Sequence, residues 1–296
     1  MINFGDWMKI KIINLSILII FLLYIFVINF NNGNKISKLF YNNIIKNDLS
    51  TSFIAHAGGG IDGKAYTNSL EAVLRSIKNS YKLIELDLLV TDDDKIVAQH
   101  DFKILEGICK KDFFKDKDKK IRKKVLSNDL SDCVKIFDNQ YTLLKEEEII
   151  DIFENNENLI LVTDKISNYK LIKKKFKFQD RLIVEVFNIY DYFKAKFYGI
   201  KNPMLLFTDG RRNIIYSTIF NIKLISISTS NTIKYKSFLN YLFKNKVSIF
   251  SFSSNDEKFN LENIGKNITG VYTDFWDIES LSCSEIRTNP NLCKVY

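Results

Sequence analysis

Histidine is nearly missing from this 296-residue chain, which has only two, and cysteine occurs four times. The cysteines, Cys109, Cys133, Cys283 and Cys293, fall in two pairs, neither with the spacing of a zinc site, so a structural zinc module is excluded. Two pairs leave two alternatives: disulfides Cys109–Cys133 and Cys283–Cys293 in an oxidising compartment, or free buried thiols. The densest basic run, "KDKDKKIRKK" from Lys115 to Lys124, lacks aromatic residues and is interrupted by aspartates. It offers no platform for stacking bases and reads as a solvated loop, so no nucleic-acid partner is expected. The excess of 43 Lys and Arg over 35 Asp and Glu is spread along the chain as a bias of composition.

Charge is also missing from "IINLSILIIFLLYIFVINF", residues 12–30. Nineteen helical residues at about 1.5 Å each reach roughly 28 Å, the thickness of a bilayer's hydrocarbon core. No small-residue cleavage site and no lipidation cysteine follow, so the expectation is an uncleaved single N-terminal transmembrane helix. Lys9 and Lys11 before the stretch are matched by Lys35 and Lys38 after it, and charge leaves its orientation open. The expected division is tail and anchor over 1–33, a polar stem over 34–50, and one catalytic domain over 51–296.

What is present in that domain is a globular composition, 46% hydrophobic and 14% aromatic, arranged as short apolar runs alternating with longer amphipathic ones. Eight runs stand out: "SFIAH", "LIELDLLV", "NLILVTD", "RLIVEVF", "PMLLF", "IKLISIS", "KVSIFSF" and "TGVYTD". Eight βα units predict an α/β fold closed as a TIM (β/α)8 barrel. Between the first two runs, Leu70, Val73, Leu74 and Ile77 follow helical spacing, with Asn68 and Glu71 expected as its capping box.

A barrel collects its chemistry where the strands end. His56 ends the first run. Glu85 and Asp87 stand two apart in the second, so strand periodicity turns both carboxylates to one side, and flanking leucines and isoleucine mark the strand as buried. Two inward oxygen donors suit a hard divalent cation, Mg²⁺ or Ca²⁺, better than zinc. His100 ends "KIVAQH". Two histidines flanking a carboxylate pair suit general acid–base work, since imidazole exchanges protons near neutral pH.

"IAHAGG", "YTNSLEA", "IELD", "TDDDKIVAQHD", "YTLL", "FSSN" and "GVYTD" together resemble the glycerophosphodiester phosphodiesterase family over residues 52 to 275. The resemblance implies a metal-dependent phosphodiesterase acting on a glycerophosphodiester, a phospholipid headgroup or a phosphodiester-linked glycan. It implies one divalent cation held by Glu85 and Asp87, with His56 and His100 as general base and acid. Asp164 in "LVTDK" resembles the third carboxylate of the sphingomyelinase D branch. The commoner Glu-x-Lys pattern would place Thr163 at the acid and Lys165 at the lysine, and alternation sets Asp164 and Lys165 on opposite faces. Lys165, Asn68 and the N–H groups of Gly58 and Gly59 are the expected substrate contacts.

Two departures stand out. The family's His-Arg-Gly is here His56-Ala57-Gly58, and its Pro-Glu-Asn-Thr is Tyr66-Thr67-Asn68-Ser69. Asp274, closing "GVYTD", is expected to be structural. The competing readings are a metal-independent phosphatidylinositol-type phospholipase C and a silent barrel that binds phosphorylated ligands. The expected location is the membrane, through the single N-terminal anchor, with the catalytic domain outside the cytoplasm.

Overall fold

The computed structural model describes residues 15–21, 35–116, 118–137, 140–208, 211–252, 254–284 and 289–293. Eight strands form one ring: β1 (Phe53–Ala55), β2 (Leu83–Val90), β3 (Ile160–Asp164), β4 (Leu182–Val186), β5 (Asn202–Phe207), β6 (Leu224–Ser228), β7 (Ser248–Phe252) and β8 (Gly270–Thr273). Each coincides with one of the eight apolar runs, β5 starting one residue earlier at Asn202. Every neighbouring pair is parallel, and the ring closes because β1 pairs with β8 (Phe53↔Val271) as well as with β2 (Ile54↔Leu83). Closure leaves the parallel ring without an edge, and the fold is a TIM barrel.

The interior follows from strand alternation. Ile54, Leu83, Val162, Ile183, Met204, Leu224, Phe250 and Tyr272 meet inside the ring in one apolar cluster. The opposite faces of the strands pack under the surrounding helices in a larger cluster containing Ile84, Leu161, Val184 and Ile225.

The segment expected to be a polar stem is instead the barrel's stopper. Lys35–Ile45 is a helix whose Ile36, Phe40 and Ile44 fall on one buried face. Ile36 and Phe40 join the interior cluster beneath the strands, and the Phe40 ring meets Phe250 edge to face at 5.3 Å. Burying one such ring contributes about 3 kcal/mol. Ser37 Oγ lies 2.9 Å from Ser248 Oγ and donates to the Lys223 carbonyl. Asparagine-rich composition concealed this apolar stripe, and the domain begins near Lys35 rather than at residue 51.

Of the uncharged stretch 12–30, residues 15–21 are helical and exposed, and the remainder of the expected span lies outside the described residues. Among the described residues no helix is long and apolar enough to cross a membrane.

Between β2 and β3 the chain makes a side lobe. Ile96–Ala98 runs antiparallel to the end of β2 (Leu88↔Ala98) and delivers His100 to the mouth. A second apolar cluster holds this lobe, and the disulfide Cys109–Cys133 ties the end of helix Phe102–Cys109 into it. Cys283–Cys293 staples the tail.

The helix Leu70–Lys78 forms as its spacing predicts, but its cap is Ser69, whose hydroxyl accepts from the Ala72 N–H. Asn68 and Glu71 do not form the expected capping box. Glu71 instead accepts from the backbone and hydroxyl of Thr142, and Asn68 turns toward the mouth.

Candidate active site

His56 leaves β1 into a tight turn in which Ala57, Gly58 and Gly59 all take positive φ, 48°, 86° and 95°. Glycine tolerates this region and alanine does so at a cost. The turn aims the Ala57 N–H at Glu85 Oε2, 2.7 Å away. Two of the N–H groups expected to cradle a phosphate are committed to the fold. The Gly59 N–H donates to the His56 carbonyl and the Gly60 N–H to the Asp274 carbonyl, while neither Gly58 nor Gly59 lines the cleft. A side chain at Gly59 would collide with Ser76 Oγ, so the residue permits close approach of helix Leu70–Lys78.

Both histidines are held in the same way. His56 Nδ1 lies 3.1 Å from Asp274 Oδ1, and His100 Nδ1 lies 3.0 Å from Asp101 Oδ2. Each ring therefore keeps Nε2 for the cleft. Asp101 is itself fixed as the cap of helix Phe102–Cys109, accepting from the Lys103 and Ile104 N–H groups. Asp274 is fixed by Asn255, whose side-chain oxygen accepts from the Asp274 N–H at 2.8 Å. Asp274, expected to be structural, is thus the partner that orients His56.

Glu85 and Asp87 point into the mouth from β2, and register sets Asp87 beside Asp164 on β3. One oxygen from each of these three carboxylates lies within 4.8 Å of the others. Burial, then the charges of Asp87 and Asp164, push Glu85 well above the usual carboxylate range. The same two causes, burial and then the Asp87 charge, raise Asp164 to about 8. Burial acts on Asp87 too, but the Lys165 ammonium and the Asn68 amide bonded to it bring it below its ordinary value. Asp164 Oδ1 is buried with no hydrogen-bond partner. Three crowded oxygen donors, one of them orphaned, fit a hard divalent cation, which would relieve the repulsion and take the free lone pairs.

Asn68, at φ 49°, clamps Asp87 twice: its amide donates to Asp87 Oδ2 at 2.9 Å and its oxygen accepts from the Asp87 N–H at 3.0 Å. The expected opposition of Asp164 and Lys165 does not occur. The strand ends at Asp164, and Lys165 takes φ 60°, which swings its ammonium back onto Asp87 Oδ1 and to 3.9 Å from Asp164. Thr163 is fully buried and its hydroxyl donates to the Asp164 carbonyl.

These groups line a cleft of about 260 Å³. Its other wall was not anticipated. Glu185 enters from β4, raised by burial, and accepts from the Tyr272 hydroxyl at 3.3 Å. Tyr66 stands half-exposed between the histidines, 4.4 Å from the His56 ring and 6.5 Å from that of His100. Phe187, Leu206 and Phe252 complete an apolar side. One signal was readable for Glu185, a lone acid inside the run "RLIVEVF"; Tyr66 was marked only as a departure from the family's Pro-Glu-Asn-Thr.

A closed parallel barrel with two carboxylate-held histidines around an acidic cluster defines the class, a phosphoric diester hydrolase of the TIM-barrel type. Residues 56–275 match the model of the glycerophosphoryl diester phosphodiesterase family, and the chain belongs to that family. Solved structures agree in fold. A glycerophosphodiester phosphodiesterase from Parabacteroides distasonis superposes with TM-score 0.58 at 16% identity, over 76% of this chain and 93% of that one. The Thermotoga maritima glycerophosphodiester phosphodiesterase gives 0.57 at 23%, over 76% and 94%. An Oleispira antarctica phosphodiesterase, solved with its product sn-glycerol-3-phosphate, gives 0.53 at 16%, over 76% and 93%. No curated protein matches the chain.

Proposed function

We propose that this phosphodiesterase cleaves a glycerophosphodiester, or a lipid or glycan diester of the same chemistry, by two-histidine acid–base catalysis with one divalent cation. The observation that carries this reading is the pairing of His56 with Asp274 and His100 with Asp101 at the lip that bears Glu85, Asp87 and Asp164. When bound there, Mg²⁺ or Ca²⁺ supplies positive charge to the phosphoryl oxygens.

The chain's own groups do the rest. With Nδ1–H donated to Asp274, neutral His56 offers the Nε2 lone pair as base to a hydroxyl, from the substrate or from water, that attacks phosphorus. His100, charged and paired with Asp101, gives its Nε2 proton to the departing alkoxide as the P–O bond breaks. Lys165 contacts a phosphoryl oxygen. The aromatic wall of Tyr66, Phe187 and Phe252 faces the alcohol. Residues 12–30 serve as membrane anchor, and two disulfides in one domain suit a barrel held outside the cytoplasm.

The test uses the full chain in detergent on a panel of glycerophosphodiesters and phospholipids, with Mg²⁺ or Ca²⁺ and with chelator, beside His56→Ala, His100→Ala and Glu85→Gln. Turnover lost on chelation and in all three variants is expected. Chelator-resistant turnover would favour the phospholipase C mechanism, and a folded protein that turns over nothing would favour a binding role.

A further inference from the structure

The cleft and the opposite end of the barrel differ in charge. The mouth gathers Glu85, Asp87, Asp164 and Glu185 against one lysine, Lys165. At the other end lie helix Lys35–Ile45 and the segments that lead into the strands, which are basic. Lys38, Lys46, Lys177, Lys246 and Lys266 are exposed there, with Lys223 half-buried beside them. Basic residues in these segments outnumber the three acids, Asp48, Glu157 and Asp180, several-fold, and Asp180 is already paired with Lys201 at 2.9 Å. Lys223 is held below its ordinary value by burial and then by the charge of Lys246, a sign of how closely the cations crowd.

The same end is where the uncharged N-terminal stretch joins the domain. Lys35 follows position 30 by five residues, a reach of at most about 18 Å. A five-residue barrel strand, tilted about 36° to the axis, sets the mouth roughly 13 Å further away.

We infer that this basic end is a docking surface for an anionic lipid bilayer, and that the barrel stands on the membrane with its mouth turned to the aqueous side. Lysines clustered beside an apolar anchor are attracted to anionic headgroups within about one Debye length. Resting on the phosphodiesterase reading, the substrate is then a diester that arrives through water. Headgroups of the supporting bilayer lie at the wrong end.

Lysine footprinting reads the orientation without relying on activity. The full chain is reconstituted in phosphatidylcholine vesicles with or without phosphatidylglycerol, treated with a water-soluble acylating reagent, and mapped by mass spectrometry. Lys177, Lys246 and Lys266 should be protected about fivefold or more in the anionic vesicles, less in the neutral ones, and exposed again at high salt. Lys103, beside His100 at the mouth, should react equally in both. The charge-reversed variant Lys177→Glu/Lys246→Glu/Lys266→Glu should keep its turnover of a soluble diester in detergent while the remaining lysines of that end lose salt-sensitive protection. Protection of Lys103, or no difference between lipids at the basic end, overturns the docking surface. Cleavage of phospholipid in the same vesicle as fast as an added soluble diester overturns the orientation. Loss of all turnover with the footprint intact would remove the phosphodiesterase reading and leave the surface standing.

Discussion

Asp274 reaches across from the end of the last barrel strand to His56 at the end of the first, Oδ1 to Nδ1, at 3.1 Å. The contact exists because β1 and β8 are neighbours at the closing seam of the ring. The Asp274 side chain is almost fully buried, at 1% exposure, whereas that of His56 is at 14%, so the carboxylate is the fixed member of the pair.

Asp274→Asn should therefore leave the fold and KM near their starting values and lower kcat by about 10²–10⁴-fold, because the amide no longer selects the tautomer with Nε2 free. Steady-state kinetics across pH, beside circular dichroism, checks this; an unchanged kcat would return Asp274 to a structural role.

Asn68→Ala removes both of its bonds to Asp87 and leaves that buried carboxylate held by Lys165 alone. Divalent-cation affinity should fall about 10- to 100-fold, as when the outer partner of a ligand is lost. Isothermal titration with Mg²⁺ or Ca²⁺ measures it directly. Helix Leu70–Lys78 should persist, since Ser69 is its cap.

Glu85 and Asp164 have native values raised above those of an unfolded chain, Asp164 to about 8. The native state of the metal-free protein then binds more protons than the unfolded state between about pH 4 and 8, so its stability declines as pH rises through that window. A bound divalent cation removes the cause. In chelator, Tm should fall from pH 5 to pH 8 and recover on adding cation at pH 8, and Asp164→Asn should flatten the slope. A Tm in chelator that climbs over the same range would sink this account of the cluster.

The Cys109–Cys133 bridge spans 24 residues and Cys283–Cys293 spans 10. Replacing the first pair by alanine should cost about 3 kcal/mol by loop entropy, and the second slightly less. Urea unfolding of each double variant tests the values. Only the first should also reduce kcat, because Cys109 ends the helix whose cap, Asp101, holds His100.

Strand periodicity made the barrel readable, because a ring of buried parallel strands requires eight apolar runs, and all eight are present. It also set Glu85 and Asp87 on one side. Periodicity stops where regular structure stops. Lys165 reaches the acids through a single left-handed residue just past β3, which alternation along a strand cannot express. Asn68 and Ser69 are both good caps, and the choice between them fell to Asp87, a partner 19 residues away. Glu185 sits in an apolar run like any core position, and only closure of the ring turns it to the cleft. The glycines after His56 were read as a ligand loop, whereas close packing explains two of them, Gly59 against Ser76 and Gly60 against Phe275.

The stopper helix has a consequence for biogenesis. Ser37 bonds to Ser248 across 211 positions of sequence, and Phe53 pairs with Val271. The first segment of the domain to leave the ribosome is completed only by the last strands to emerge. Contacts of such separation form slowly, so the barrel closes after synthesis rather than during it. A nascent chain arrested before residue 248 would hold its acidic residues on an open, unstoppered sheet and be readily taken by chaperones and proteases.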